Sequence, residues 1–211
     1  MGLYFSRELE SGATISVWEI TETEEELMNL SSVPHDEMED LLITRSSARR
    51  KERLAVRALL NELFDGKVYL GHHDNGRPFL QNSLIEISIS HTGRYVCVLT
   101  HPDDSVGVDI ESLERNFSAV EKKALSPDEI ENLSDSKRNL HLAIHWSVKE
   151  AVYKRMSQTD VDFARQIIVK KFSPREEGEI DVEFIHKDGE REEFEVKYEV
   201  FENHILAWIV G

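Results

Sequence analysis

Along this chain apolar residues recur with a period near two in some stretches and near four in others, and the switches between the two mark out its elements. Ile15 and Val17 alternate with polar neighbours over residues 13–20, which predicts a strand. Thr21 then starts a helix with Glu24 at capping-box spacing, and Pro34 opens a short helical stretch through Leu42. Ser46 or Ser47 caps the next helix, where Leu54, Ala55, Ala58, Leu59 and Leu63 share one face until Asp65-Gly66 ends it. Residues 72–78, His-His-Asp-Asn-Gly-Arg-Pro, form a loop whose adjacent histidines face solvent. Ile85, Ile87 and Ile89 alternate with Glu86, Ser88 and Ser90 in a half-buried strand, and residues 95–99 form another around the single Cys97, a core residue.

Residues 101–105, His-Pro-Asp-Asp-Ser, read as a linker that divides the chain almost in half. After it come a strand over 106–110 and a helix start at Ser126-Pro127-Asp128-Glu129, with the serine as cap and proline first in the helix. A long helix spans about 137–156, and strands follow at 167–172, 180–186, 193–201 and 204–210. Asp188-Gly189 and Glu202-Asn203 make hairpin turns between the last three, so the second half closes as an antiparallel meander. Helices on mainly antiparallel sheets in both halves give an α+β class, with lobes at 1–105 and 106–211.

With 211 residues, 40% hydrophobic and 31% charged, the chain has the core-forming capacity of a two-lobed globular protein. Its longest apolar runs are too short to cross a membrane and no secretory leader precedes them, which predicts a cytoplasmic protein. The formal net charge of −16 argues against nucleic acid or an anionic membrane as partner. Against that background Arg45, Arg49, Arg50, Lys51, Arg53 and Arg57 are a local basic excess, either a solvated helix face or a phosphate-binding patch.

Asp109 and Glu111 end an apolar run of Val106, Val108 and Ile110, so on a strand both carboxylates point to one face. Glu150 and Lys154 lie one helical turn apart on one side. Together they make a hard oxygen site suited to Mg²⁺ and to the phosphates it carries; singly, each half is equally an acidic strand end or a surface ion pair.

Read jointly, Gly107-Val108-Asp109-Ile110-Glu111 and Trp146-Ser147-Val148-Lys149-Glu150-Ala151-Val152-Tyr153-Lys154 resemble the signature pair of the 4'-phosphopantetheinyl transferase superfamily, of the type that activates surfactin synthetase. Asn75-Gly76-Arg77-Pro78 resembles its Gly-Lys/Arg-Pro loop, Ile87-Ser88-Ile89-Ser90-His91 its Ser-His element, and the Leu54 to Leu60 segment its arginine-bearing helix. Residues 28–40, where some members carry basic groups for the 3′-phosphate of coenzyme A, are acidic here. The resemblance implies two similar α+β lobes related by a pseudo-twofold axis, in a monomer that moves the phosphopantetheine arm of coenzyme A to a serine of an apo acyl or peptidyl carrier protein and releases 3′,5′-ADP. It further implies Mg²⁺ on Asp109, Glu111 and Glu150, with Glu150 accepting the serine proton directly or through water on the ion. Lys154 and Lys149 would offset phosphate charge, and Arg77, Ser90 and His91, with Arg49, Arg50 and Arg57, would hold coenzyme A. The alternatives are a metal-dependent phosphohydrolase, which leaves the first-half motifs without a role, and a non-catalytic homologue binding coenzyme A or carriers, which leaves a filled acidic site without use. For the carrier's acidic helix, Phe117, Ala119 and Val120 with Lys122 and Lys123 offer an apolar and basic segment; Phe117 and Val120 equally fit the core of a short helix.

Overall fold

The computed structural model describes residues 2–31, 33, 38, 41, 43–65, 68–81 and 83–211. The chain divides into two compact units, Met1–Ser105 and Val106–Gly211.

The first unit holds a four-stranded antiparallel sheet in the order β1-β2-β6-β5, from β1 (Leu3–Glu8), β2 (Thr14–Glu19), β5 (Glu86–His91) and β6 (Tyr95–His101). A separate ribbon pairs β3 (Tyr69–His72) with β4 (Pro78–Gln81) around a turn where Gly76 takes φ 84°, a left-handed value that suits glycine. Helices α1 (Glu24–Ser31) and α2 (Ser47–Phe64) pack on each other, and α2 packs on β6, burying Leu54, Ala55, Ala58 and Leu59 with Leu27, Ile87, Val96 and Val98. Ser46 caps α2 by accepting from the Arg49 amide, and Asp65 ends it at φ 51°. Three features differ from the sequence expectation. Strand β1 lies where the sequence pattern predicts none, because an edge strand exposed along most of its length carries little alternation. Ribbon strands β3 and β4 flank what reads in sequence only as a loop. The capping box of α1 is Thr23 with Glu26, not Thr21 with Glu24: Thr23 Oγ1 accepts from the Glu26 amide at 3.2 Å and Glu26 Oε2 accepts from the Thr23 amide at 2.8 Å. The repeated Thr-Glu-Thr-Glu pattern fits both registers. Most of the helical stretch expected over 34–42 lies outside the described residues.

The second unit is a five-stranded antiparallel sheet in the order β7-β11-β10-β9-β8, from β7 (Val106–Ser112), β8 (Ile167–Val169), β9 (Glu177–Ile185), β10 (Arg191–Phe201) and β11 (His204–Val210). Gly189 at φ 91°, with Glu202 and Asn203 both left-handed, makes the two hairpin turns. Four helices, α3 (Ser118–Ala124), α4 (Pro127–Glu131), α5 (Arg138–Met156) and α6 (Phe163–Gln166), follow β7 and precede β8. Both units share a connectivity: the strand entering the helices pairs with the last strand, which pairs with the one before it, as β2-β6-β5 and as β7-β11-β10. No helix among the described residues is long and apolar enough to cross a membrane.

Helix α5 buries Leu142, Ala143, Ile144, Val148, Ala151 and Val152 against the sheet, and β7 and β11 take most of that contact. The approach is closest at Gly107, where an added Cβ would lie 1.9 Å from the Ala151 carbonyl oxygen, a backbone atom with no freedom to yield. Gly107→Val should therefore cost on the order of 2–3 kcal/mol by overpacking. Urea denaturation checks this, and a midpoint equal to that of the parent would show that the sheet accommodates the side chain.

Candidate active site

Trp146, Glu150 and Lys154 recur every four residues on α5, so they form one stripe. That stripe faces β7 antiparallel, Trp146 reaching Glu111 and Lys154 reaching Asp109. Asp109 and Glu111 share the β7 face that carries Gly107, so the glycine contact sets how near the acids come to the helix. Lys154 Nζ donates to Asp109 Oδ1 at 2.8 Å and to the Val108 carbonyl at 2.9 Å. Glu111 Oε1 accepts from Trp146 Nε1 at 2.8 Å and from the guanidinium of Arg115. Burial raises the pKa of Glu150 to about 7; Asp109 and Glu111 push it the same way, against the opposing pull of Lys154 and Arg115. A cleft of about 850 Å³ opens beside Glu150, walled by Trp146, Tyr153, Phe163 and Val120 with Arg115 at its edge. Trp146 and Phe163 stack with centroids 5.6 Å apart.

Of the residues singled out in this half, the structure brings Asp109, Glu111, Glu150 and Lys154 together and leaves Lys149 out. Lys149 is fully buried on another face of α5, with acceptors at Ala124 O, Glu129 Oε2, Phe163 O and Ile167 O between 2.6 and 2.9 Å. Four acceptors around three N–H groups leave it nothing for a phosphate. Burial lowers its pKa while Glu129 opposes the shift. Glu129 also accepts from the Val169 and Ser126 amides, so the pair fastens α4, α6 and β8 to α5. Phe117, offered above as part of a carrier-docking segment, is 0% exposed and belongs to the core, as does Val120; Ala119, Lys122 and Lys123 of the same segment are exposed.

In the first unit a pocket of about 450 Å³ is lined by Arg53, Arg57, His72 and His91, with Leu70 and Ile89 among its apolar walls and Gly76 and Pro78 at the ribbon turn. Arg57 donates to the Leu70 carbonyl at 3.1 Å, and His91 Nδ1 lies 3.3 Å from Glu52. Arg49, Arg50, Arg77 and Ser90 are not among the residues lining this pocket, although Gly76, Pro78, Ile89 and His91 beside Arg77 and Ser90 are. Arg50 is fastened to Glu24 at 2.7 and 3.0 Å and to the Thr44 carbonyl, joining α1 to α2. Arg77 bonds Glu86, and Arg49 projects into solvent at the first turn of α2. Ser90 is buried and, being next to His91 on β5, points to the opposite face of the strand. Sequence reasoning missed Arg115, Tyr153 and Phe163 as neighbours of the acids and His72 as a pocket residue. Arg115 follows Glu111 by four residues, a weak signal outside a helix. Phe163 lies in a four-residue helix, which offers no period to read.

Among the described residues no three His, Cys, Asp or Glu side chains converge as a ligand set, and Asp109 and Glu111 are paired with Lys154 and Arg115. The donor chemistry does fit a hard divalent cation: Asp109, Glu111 and Glu150 are all oxygen donors, and burial together with the charge of the two strand acids raises the pKa of Glu150.

The second unit is thus an α+β unit that presents two strand carboxylates to a helical Glu and Lys. Residues 105–209 match the family model of the 4'-phosphopantetheinyl transferase superfamily, and by this half the chain belongs to that superfamily. The chain is also 31% identical over 87 residues to a Haemophilus influenzae protein named as a candidate 4'-phosphopantetheinyl transferase; the match covers 38% of this chain and 37% of that relative's length.

The raised pKa of Glu150 has a consequence for stability. Its folded value, about 7, lies above that of the unfolded chain, so the folded state holds the proton more tightly and stability falls as pH climbs from about 4.5 through 7. Glu150→Gln removes that loss. The variant should gain on the order of 2–3 kcal/mol over the parent at pH 8 and little at pH 5, read by denaturant unfolding at both; an equal difference at the two pH values would refute the shift.

Proposed function

We propose that the protein transfers the 4'-phosphopantetheine arm of coenzyme A to a serine of an apo acyl or peptidyl carrier protein, as a cytoplasmic enzyme of the surfactin-synthetase-activating type. The observation that carries this reading is the meeting of Asp109 and Glu111 with Glu150 and Lys154 inside the half that matches the superfamily. The serine oxygen attacks the phosphorus that bears the pantetheine arm, a new O–P bond forms, and the P–O bond to 3′,5′-ADP breaks. Attack at a diphosphate needs its charge answered and its oxygens held, so catalysis is by position and electrostatics. Asp109, Glu111 and Glu150 would hold Mg²⁺, which when bound supplies the positive charge that the diphosphate requires. Glu150 lines the cleft and takes the serine proton, directly or through water. Lys154, kept in place by the Val108 carbonyl, turns its charge on the phosphates.

For the nucleotide, the first unit's pocket supports Arg57, His91 and Arg53 as phosphate ligands with Leu70 and Ile89 as apolar wall. Arg49 remains exposed for outer phosphate contact, while Arg50 and Arg77 are paired with Glu24 and Glu86 and Ser90 is buried. The carrier docks through the exposed Lys122 and Lys123 of α3, whose charge suits an acidic helix.

Two measurements test this. With coenzyme A, Mg²⁺ and an apo carrier, intact mass should show the phosphopantetheine increment, and Asp109→Ala or Glu111→Ala should abolish it while circular dichroism stays native. Activity in a folded Asp109→Ala protein would sink the assignment, and release of 3′,5′-ADP without carrier modification would favour the phosphohydrolase. By calorimetry, Arg57→Gln should weaken coenzyme A binding roughly tenfold and Arg50→Gln much less; the reverse order would place the nucleotide at the start of α2 instead.

A further inference from the structure

We propose that Arg115 is an internal counter-ion of the acidic group, occupying Glu111 until a phosphate-bearing ligand arrives, so that a divalent cation binds weakly alone and tightly in company with a diphosphate. The inference rests on the reading of Asp109, Glu111 and Glu150 as cation ligands and adds an order of binding to it.

Glu111 Oε1 is held by two donors of different kinds, the neutral Trp146 indole and the charged Arg115 guanidinium. A cation arriving at that carboxylate can share it with the indole but is repelled by the guanidinium, so Arg115 must leave. Its surroundings let it leave without being lost. Arg115 follows β7 in a loop, its side chain is 47% exposed, and its guanidinium carbon lies 5.1 Å from the Phe117 ring centroid and 5.6 Å from that of Trp146. Released from Glu111, the group keeps these aromatic faces as a resting place at the edge of the cleft that also exposes Glu150. A planar guanidinium there is a two-pronged ligand for a phosphate oxygen pair. The same side chain thus opposes a bare ion and favours an ion that carries phosphate. Lys154 does not share this role, because the Val108 carbonyl anchors it beside Asp109.

The linkage has a signature that a merely structural arginine lacks, since one substitution should move two affinities in opposite directions. Mg²⁺ is titrated by calorimetry, first alone and then with inorganic pyrophosphate, into the parent, Arg115→Gln, Arg115→Lys and Glu111→Gln. Trp146 emission serves as a second readout, and Trp146→Phe separates it from Trp18 and Trp208. Arg115→Gln should bind Mg²⁺ alone about two- to fivefold more tightly, the range of an exposed ion pair, and lose at least as large a factor of the gain that pyrophosphate gives the parent. Arg115→Lys should keep the weak binding of the bare ion and recover only part of the pyrophosphate effect. Unchanged or weaker binding of Mg²⁺ alone in Arg115→Gln, or an undiminished pyrophosphate effect, overturns the proposal. If Mg²⁺ binds the parent and is lost in Glu111→Gln while Arg115→Gln behaves as the parent, only the counter-ion role fails. No binding to the parent with or without pyrophosphate removes the cation reading and this inference together.

Discussion

Strand β7 and helix α5 approach so closely at Gly107 that no side chain fits between them, and the acidic seam of the second unit depends on that contact. A strand alternates its side chains and a helix repeats them nearly every four, so two such elements laid against each other present a limited set of residues to the shared seam. Here the seam collects Asp109 and Glu111 from one side and Trp146, Glu150 and Lys154 from the other. A larger separation would leave the acids in solvent, where their mutual repulsion is weak. At this separation burial first and like charge second raise the pKa of Glu150, against the pull of Lys154 and Arg115.

Such a seam needs rigid support, and the buried Lys149–Glu129 pair provides it from the far side of α5. Lys149 ties together the end of α3, the start of α6 and the start of β8, while Glu129 caps α4 and holds the Val169 amide. An ion pair so deeply buried adds little net stability over apolar residues of the same shape, yet removing one partner would leave a bare charge in the core. Its contribution is geometric. It fixes Phe163 and Ala124, which line the cleft, relative to Glu150, the residue that follows Lys149.

Much of this was legible in the sequence. Parity and helical spacing gave the acidic faces of β7 and α5, the resemblance to the superfamily joined the two, and the hairpin turns gave the meander. What stayed hidden were second roles. Ser126 and Glu129 announce a capping box, but nothing in the spacing says that the same carboxylate also receives Lys149 from α5. Lys149 sits beside Glu150 in sequence and on a different face of the helix, since neighbours on a helix diverge by about 100°. The arginines of α2 formed one cluster in sequence, and the helix distributed them: Arg50 toward α1, Arg57 toward β3 and Arg49 into solvent.

Net charge explains why sequence overstates the supply of cations. In a chain of −16 a basic side chain folds among an excess of carboxylates, and Arg50, Arg77, His91, Arg115 and Lys154 each stand against one. These pairs differ in what it costs to open them. Arg50 is bound through several donors to a carboxylate and a carbonyl, so releasing it would dismantle the packing of α1 on α2. Arg115 is exposed and rests on two aromatic faces, so moving it costs one partly screened ion pair and little packing. An acidic protein that handles an anion must hold back cations that can be released cheaply where the anion lands. By that criterion the side chain beside Glu111 is the better candidate, although the first-half arginines are the ones that composition brings to notice.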